Sequence, residues 1–194
     1  MRYTVEVDEY GTTRWYKEGT YILHRENGPA VEFFSGTKHW YINGERHRED
    51  GPAKEFFNGT KEWYKNGKRH RENGPAIDTV DGDKYWYIND KIHRENGPAI
   101  EYPNGDKYWY INDKRHREDG PAVEKASGYK AWWINGNLHK EDGPAIEWDD
   151  GYKEWWINGE KLTEEEFNKR NQKSYTVEEL KKLSLEELHE IISD

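Results

Sequence analysis

Six histidines recur at a fixed interval: His24, His47, His70, His93, His116 and His139 each follow the last by 23 residues. Imidazole ligates metals and moves protons near neutral pH, and each of these rings is followed by Arg or Lys and then by Glu. Zinc binding and acid–base catalysis are therefore the first chemistries to weigh. A zinc ion draws each ligand to about 2.1 Å. If every 23-residue unit supplies two strands, equivalent side chains in adjacent units lie about 9.5 Å apart, so neighbouring rings do not share an ion. The expected role of the histidines is structural, with no metal and no cofactor. The acidic series Glu32, Glu55, Asp78, Glu101, Glu124 and Glu147 meets a similar objection as a catalytic pair. Acid–base chemistry needs one asymmetric place where two environments push two pKa values apart, and near-equivalent copies do not supply it. The chain is expected not to be an enzyme. A lysine series, Lys38, Lys61, Lys84, Lys107, Lys130 and Lys153, runs beside aromatics. That combination can bind nucleotides or nucleic acid by stacking and charge, although lysine stems also shield indole edges.

These residues need a scaffold that repeats, and the repeat is explicit. His-Arg/Lys-Glu-Asn/Asp-Gly-Pro-Ala begins at each of the six histidines; a second block places Gly36, Gly59, Gly82, Gly105, Gly128 and Gly151 two residues before Lys and four before Trp. A partial unit precedes them, with Gly11, Trp15, Tyr16 and Gly19 in the corresponding places. Pairs such as Asn58-Gly59 and Asn104-Gly105 suit the two left-handed positions of a type I′ hairpin turn. With Ser35-Gly36 as such a two-residue loop, Val31 is predicted opposite Trp40 and Glu32 opposite His39. Pro29, Val31, Trp40 and Ile42 would then share an apolar face on which Trp stacks beside Trp in a column. Ala30, Glu32, Tyr41 and the changeable position His39/Glu62/Tyr85/Tyr108/Ala131/Glu154 would share a partly wet one. A second turn, Asn43-Gly44 and its relatives, follows each Trp strand.

Composition agrees with a sheet built on aromatics. The chain of 194 residues holds 10 Trp and 14 Tyr, no Cys, and 39 carboxylates against 30 Lys and Arg, a net charge of −9. Thiolate chemistry and disulfides are excluded, and the acidic balance disfavours non-specific attraction to nucleic acid or anionic lipid. No stretch approaches the roughly 20 apolar residues of a membrane span, so a cytoplasmic protein with no membrane partner is expected. The predicted fold is mainly β: an elongated, solenoid-like single-sheet array of 23-residue hairpins over residues 1–162, followed by a short helical cap over 163–194. Three capping boxes, Thr163…Glu166, Thr176…Glu179 and Ser184…Glu187, announce those helices. Leu180, Leu183, Leu188 and Ile191 mark an apolar stripe that caps the last hairpin or docks a partner.

The run Trp40-Tyr41-Ile42-Asn43-Gly44-Glu45-Arg46-His47 resembles the MORN repeat, whose 23-residue units also form hairpins. A MORN unit has Gly directly after the His, whereas here Arg-Glu-Asn/Asp intervenes. The tandem HRxxGPA units over residues 24–159 look like those of repeat proteins from large bacteriophages and giant viruses. The resemblance implies a scaffold for protein or phospholipid and, for a viral chain, binding of a host protein in the host cytoplasm, with inhibition of a defence protein as one outcome.

Changeable positions are the candidate binding residues. For a protein partner they are Phe33, Phe56, Glu62, Tyr85, Tyr102, Tyr108, Trp148 and Glu154, the three tyrosines being favoured because exposed Tyr is enriched at interfaces. For a nucleotide or nucleic acid they are Lys84, Lys107, Arg94 and Arg117. A third reading is an acidic decoy that imitates nucleic acid. Protein binding is the expectation that best accounts for a repeat without asymmetric chemistry; the oligomeric state stays open.

Overall fold

The computed structural model describes residues 2–171 and 181–185. Contacts divide the chain into two compact units, Met1–Lys161 and Leu162–Asp194. The first is the hairpin array. Its opening hairpin joins Tyr3–Val7 to Thr13–Lys17, and each following repeat adds two very short strands, such as Val31–Glu32 and Lys38–His39. All of these join, in chain order, one antiparallel sheet of fifteen strands. Between successive sheet hairpins the chain makes a second, separate ribbon, first Tyr41–Ile42 with Glu45–Arg46 and lastly Trp133–Ile134 with Asn137–Leu138.

The two turns of each repeat differ from the expectation in a way that moves every neighbouring side chain. In the sheet hairpin the Phe33 N–H donates to the Thr37 carbonyl and the Gly36 N–H to the Phe33 carbonyl, both at 2.9 Å. The loop is therefore three residues, Phe34-Ser35-Gly36, a type I turn closed by a left-handed glycine at φ 91°. The two-residue type I′ turn lies instead in the second ribbon, where Asn43 and Gly44 stand at φ 55° and 83°. Only this turn needs two left-handed residues in succession, and Asn is present at its first place in every repeat from Asn43 to Asn158.

One residue of register inverts the faces. Val31 lies opposite His39, not Trp40, and Glu32 opposite Lys38, not His39. The changeable position therefore shares its face with the aliphatic one: Val31, His39, Lys54, Glu62, Ile77, Tyr85, Ile100, Tyr108, Val123, Ala131, Ile146 and Glu154 form one continuous cross-strand row. The core lies on this side, where buried Val123, Ala131 and Ile146 meet Tyr108, Tyr129, Trp133, Leu138, Trp148 and Trp156. The predicted pairing of Val31 with Trp40 on a single apolar face is thus overturned.

The adjacent register row alternates acid with base, from Glu32, Lys38, Glu55 and Lys61 to Glu147 and Lys153. Ala30, Ala53, Ala76, Ala99, Ala122 and Ala145 have no exposed surface, which leaves no room for a larger side chain at that place in any repeat. The predicted Trp-on-Trp column is also corrected. Equivalent rings two strands apart are too distant to stack, and a cation lies over each one from Trp15 to Trp132, as Arg48 over Trp40 at 4.1 Å, Arg94 over Trp86 at 3.9 Å and Lys140 over Trp132 at 3.8 Å.

In the second unit, the helix α1 (Glu164–Asn171) starts on the expected capping box. The Glu166 N–H donates to the Thr163 hydroxyl, and the Glu166 carboxylate accepts from the Thr163 N–H and hydroxyl at 2.8 and 2.9 Å. The backbone hydrogen bond and then the hydroxyl one hold the Glu166 carboxyl below its ordinary pKa. The boxes at Thr176…Glu179 and Ser184…Glu187 and the stripe from Leu180 to Ile191 fall wholly or partly outside the described residues. Among the described residues no helix is long and apolar enough to cross a membrane.

Candidate functional sites

Each residue of the His-Arg-Glu-Asx-Gly-Pro-Ala loop has a separable task. The Nδ1 of every one of the six histidines accepts a backbone N–H from the Asn that opens the type I′ turn nineteen residues later, at 3.0–3.3 Å, from Asn43 to His24 through Asn158 to His139. Nε2 lies 3.0–4.0 Å from the Glu two residues on, and at His47 and His70 the same Nδ1 also stands 2.8 and 3.1 Å from the side-chain oxygen of that Asn. The histidines are latches between successive repeats.

The arginine does three things at once. Arg94 lies over Trp86 at 3.9 Å, donates from Nη1 to the Pro98 carbonyl at 2.9 Å and, through the same nitrogen, to Glu101 at 2.8 Å. Arg117 repeats this on Trp109, Pro121 and Glu124. Glycine follows because the guanidinium occupies its side-chain space: a Cβ on Gly120 would lie 2.8 Å from the Arg117 Cζ. Of the acidic series that could have been mistaken for catalytic pairs, Glu32, Glu55, Glu101 and Glu124 are thus counter-charges of the loop arginines and Glu147 of Lys140.

The first five loops, from His24 to His116, stand as successive ridges with a groove between neighbours. Four grooves follow one another, with cavity volumes of about 630, 520, 620 and 650 Å³ over Trp40, Trp63, Trp86 and Trp109. Ile42, Ile88 and Ile111 join the floors of three of them. Each ridge serves two neighbours, as when Arg71, Glu72 and Asn73 line both the Trp63 and the Trp86 grooves. The loops carry Glu26, Glu49, Glu72, Glu95, Glu118 and Glu141, together with Asp50, Asp119 and Asp142. Those nine carboxylates equal the net charge of −9, so the remainder of the chain sums to neutrality.

At the opposite end of the strands the hairpin tips form a different surface. Phe34, Phe57 and Val80, the first loop residues of three consecutive repeats, are 86%, 73% and 58% exposed. The tips are held side by side by hydrogen bonds from the Phe57 N–H to the Thr37 hydroxyl and from the Val80 N–H to the Thr60 hydroxyl, at 3.2 and 3.1 Å. Sequence reasoning missed these three. The available signal was an apolar residue at a turn position where polar types normally stand.

The residues singled out beforehand lie mostly on the core side. Tyr85, Tyr102 and Tyr108 do come together, edge to face at 5.9 and 5.8 Å, but half-buried rather than on a wet face. Burial, followed by the hydrogen bond with Tyr102, pushes the Tyr85 hydroxyl above the usual phenol range. Phe33 and Phe56 flank His39 at 5.0 and 6.2 Å, and Trp148 packs on Tyr129 at 5.5 Å. Glu62 pairs with Lys54 at 3.0 Å and accepts from the Tyr64 hydroxyl at 2.9 Å. Glu154 is held by Lys161 and by the Trp156 indole N–H; burial works against its ionisation, yet these bonds win and lower its pKa. Lys84 and Lys107 are exposed but stand in register between acids, Asp78 and Glu101 for the first, Glu101 and Glu124 for the second. Arg94 and Arg117 are occupied as described above.

The architecture is that of a tandem β-hairpin repeat protein. Compared with known proteins, the chain matches no family model and no curated protein.

Proposed function

We propose that this chain is a non-catalytic repeat scaffold that binds a protein partner. The observation that carries the reading is the row Phe34, Phe57 and Val80, three exposed apolar side chains in consecutive repeats of a chain whose mean hydropathy is −1.33. An exposed apolar row on so polar a molecule is the usual mark of a protein contact. Against a catalytic role stands the structural task that the repeated loop histidines and arginines perform in successive repeats. Against nucleic acid stands the alternating register of Lys84 and Lys107 with carboxylates, which cancels the basic stripe such binding needs. The resemblance to viral repeat proteins directs the search for the partner to host proteins, defence proteins among them.

The test is affinity purification with mass spectrometry, followed by reconstitution from purified components. Wild type is expected to form a stoichiometric complex that Phe34→Ser with Phe57→Ser weakens by about thirtyfold or more, each residue contributing roughly 1–2 kcal/mol of buried area. A complex that the double variant forms equally well would overturn the assignment of the surface.

A further inference from the structure

The ridged loop face offers a second binding surface, remote from the tips and independent of the reading above. Its period is about 9.4–9.8 Å, two strand spacings. A polyproline II helix turns once in three residues and advances about 3.1 Å per residue, so the same face of such a chain returns every ~9.3 Å, close to one repeat of the sheet. Extended chains in this conformation dock on aromatic-floored grooves elsewhere in protein recognition.

Charge selects the occupant. The exposed glutamates of the ridges, Glu72 and Glu95 at the Trp86 groove for example, have side chains 75% and 79% exposed, whereas Arg94 beside them is paired with Glu101 at 2.8 Å and Arg71 is turned onto the Pro75 carbonyl and Trp63. The ridge is left with excess negative charge. Arg94 already covers the face of the Trp86 ring at 3.9 Å and Trp86 is only 9% exposed, so the floor offers an incoming chain the indole edge and Ile88. A long basic side chain would lay its stem against Ile88 and the remaining edge of Trp86, beside Arg94, and bring its head to the ridge glutamates.

We propose that the four consecutive grooves bind a basic polypeptide segment in the polyproline II conformation, with Arg or Lys at every third position. The segment runs across the ridges and places one basic side chain in each groove. Periodicity is thereby read by the sheet, and charge by the ridges.

Two synthetic peptides of equal charge separate this from simple attraction to an acidic surface: five repeats of Arg-Pro-Pro, and five repeats of Arg-Pro-Pro-Pro, whose basic residues fall about 12.4 Å apart. Titrated into the full chain at physiological salt, the first is expected to bind at least tenfold more tightly than the second. Glu72→Gln with Glu95→Gln should weaken it about tenfold, Ile88→Ser should weaken it too, and Phe34→Ser with Phe57→Ser should leave it unchanged; near-ultraviolet circular dichroism checks that each variant keeps its fold. Equal affinity for the two peptides, or competition by spermine at matched charge, would reduce the site to an unpatterned acidic patch and overturn the proposal. Neither result bears on the partner bound by the tips.

Discussion

Along the inner row of the sheet the same position is filled in two ways. Between Val31 and Ile77 it reads His39, Lys54 and Glu62; from Ile77 to Ile146 it reads Ile, Tyr, Ile, Tyr, Val, Ala and Ile. The first stretch is held by a half-buried ion pair, Lys54 to Glu62 at 3.0 Å, with Tyr64 hydrogen-bonded to the acid, its hydroxyl pushed up to about 12 by burial and then by Glu62. The second is held by apolar area and edge-to-face tyrosines. Backbone, turns and latches are the same in both. The fold therefore resides in the constant loop residues, and the inner row has only to be filled in a self-consistent way.

The comparison breaks first at the ion pair. Lys54→Met leaves the Glu62 carboxylate facing His39 and Tyr64 without its cation, and removing one partner of a desolvated pair costs about 3 kcal/mol or more; the urea midpoint should fall accordingly. Transplanting the neighbouring solution, Lys54→Ile with Glu62→Tyr, should recover that loss entirely, and ion pairs replaced by packed apolar groups often gain about 1–4 kcal/mol. A double variant no more stable than Lys54→Met would show that the two stretches are not interchangeable.

A second contrast lies within the loops. Arg117 fills the space beside Gly120, whereas in the last full repeat Lys140 replaces arginine and its nearest atom lies 3.4 Å from a Cβ on Gly143. Neither glycine is left-handed, so only crowding distinguishes them. Gly120→Ala should cost about 1–3 kcal/mol by displacing the guanidinium. Gly143→Ala, beside a flexible lysine, should change stability by less than about 1 kcal/mol in either direction. Equal thermal shifts would mean that the guanidinium does not dictate the glycine.

Much of this was legible in the residues. The period, the hairpins, the structural histidines and the capping box at Thr163 follow from spacing and turn chemistry alone. The faces did not, because Asn-Gly occurs at both turns and both look like type I′. What tells them apart is variation: Ser35, Asn58, Asp81, Asn104, Ser127 and Asp150 precede the sheet-turn glycine, whereas Asn is constant at the ribbon turn and Gly there gives way to Asp90 and Asp113. A left-handed first position tolerates little but Asn, and reading that constancy would have fixed the register, exposed Phe34 and Phe57 and placed the tyrosines inside. The triple task of the arginine was not legible, since it depends on a Trp eight residues earlier and a Glu seven residues later meeting in three dimensions.

The smallest effect sharpens the contrast through protons. Burial first, then Lys54 and Arg46, lower the His39 pKa from 6.5 to about 4, with Glu62 pulling the other way. Above pH 6.5 the ring is neutral in folded and unfolded chains alike. Between 6.5 and about 4 only the unfolded chain takes up the proton, so stability falls as pH falls through this window and the loss is complete below the folded value. Because the ring is only half-buried, solvent screening reduces the loss to about 1–2 kcal/mol. His39→Tyr, the residue found at Tyr85 and Tyr108, should remove this component, read as the difference between wild-type and variant urea midpoints at pH 7.5 and 4.5. In the Lys54→Ile, Glu62→Tyr background the lysine's repulsion is gone along with the acid's attraction, and burial alone remains beside Arg46. A pH dependence that survives there at reduced size assigns it to burial; one that persists unchanged in His39→Tyr would remove the histidine from the account and leave the carboxylates of the alternating row as its source.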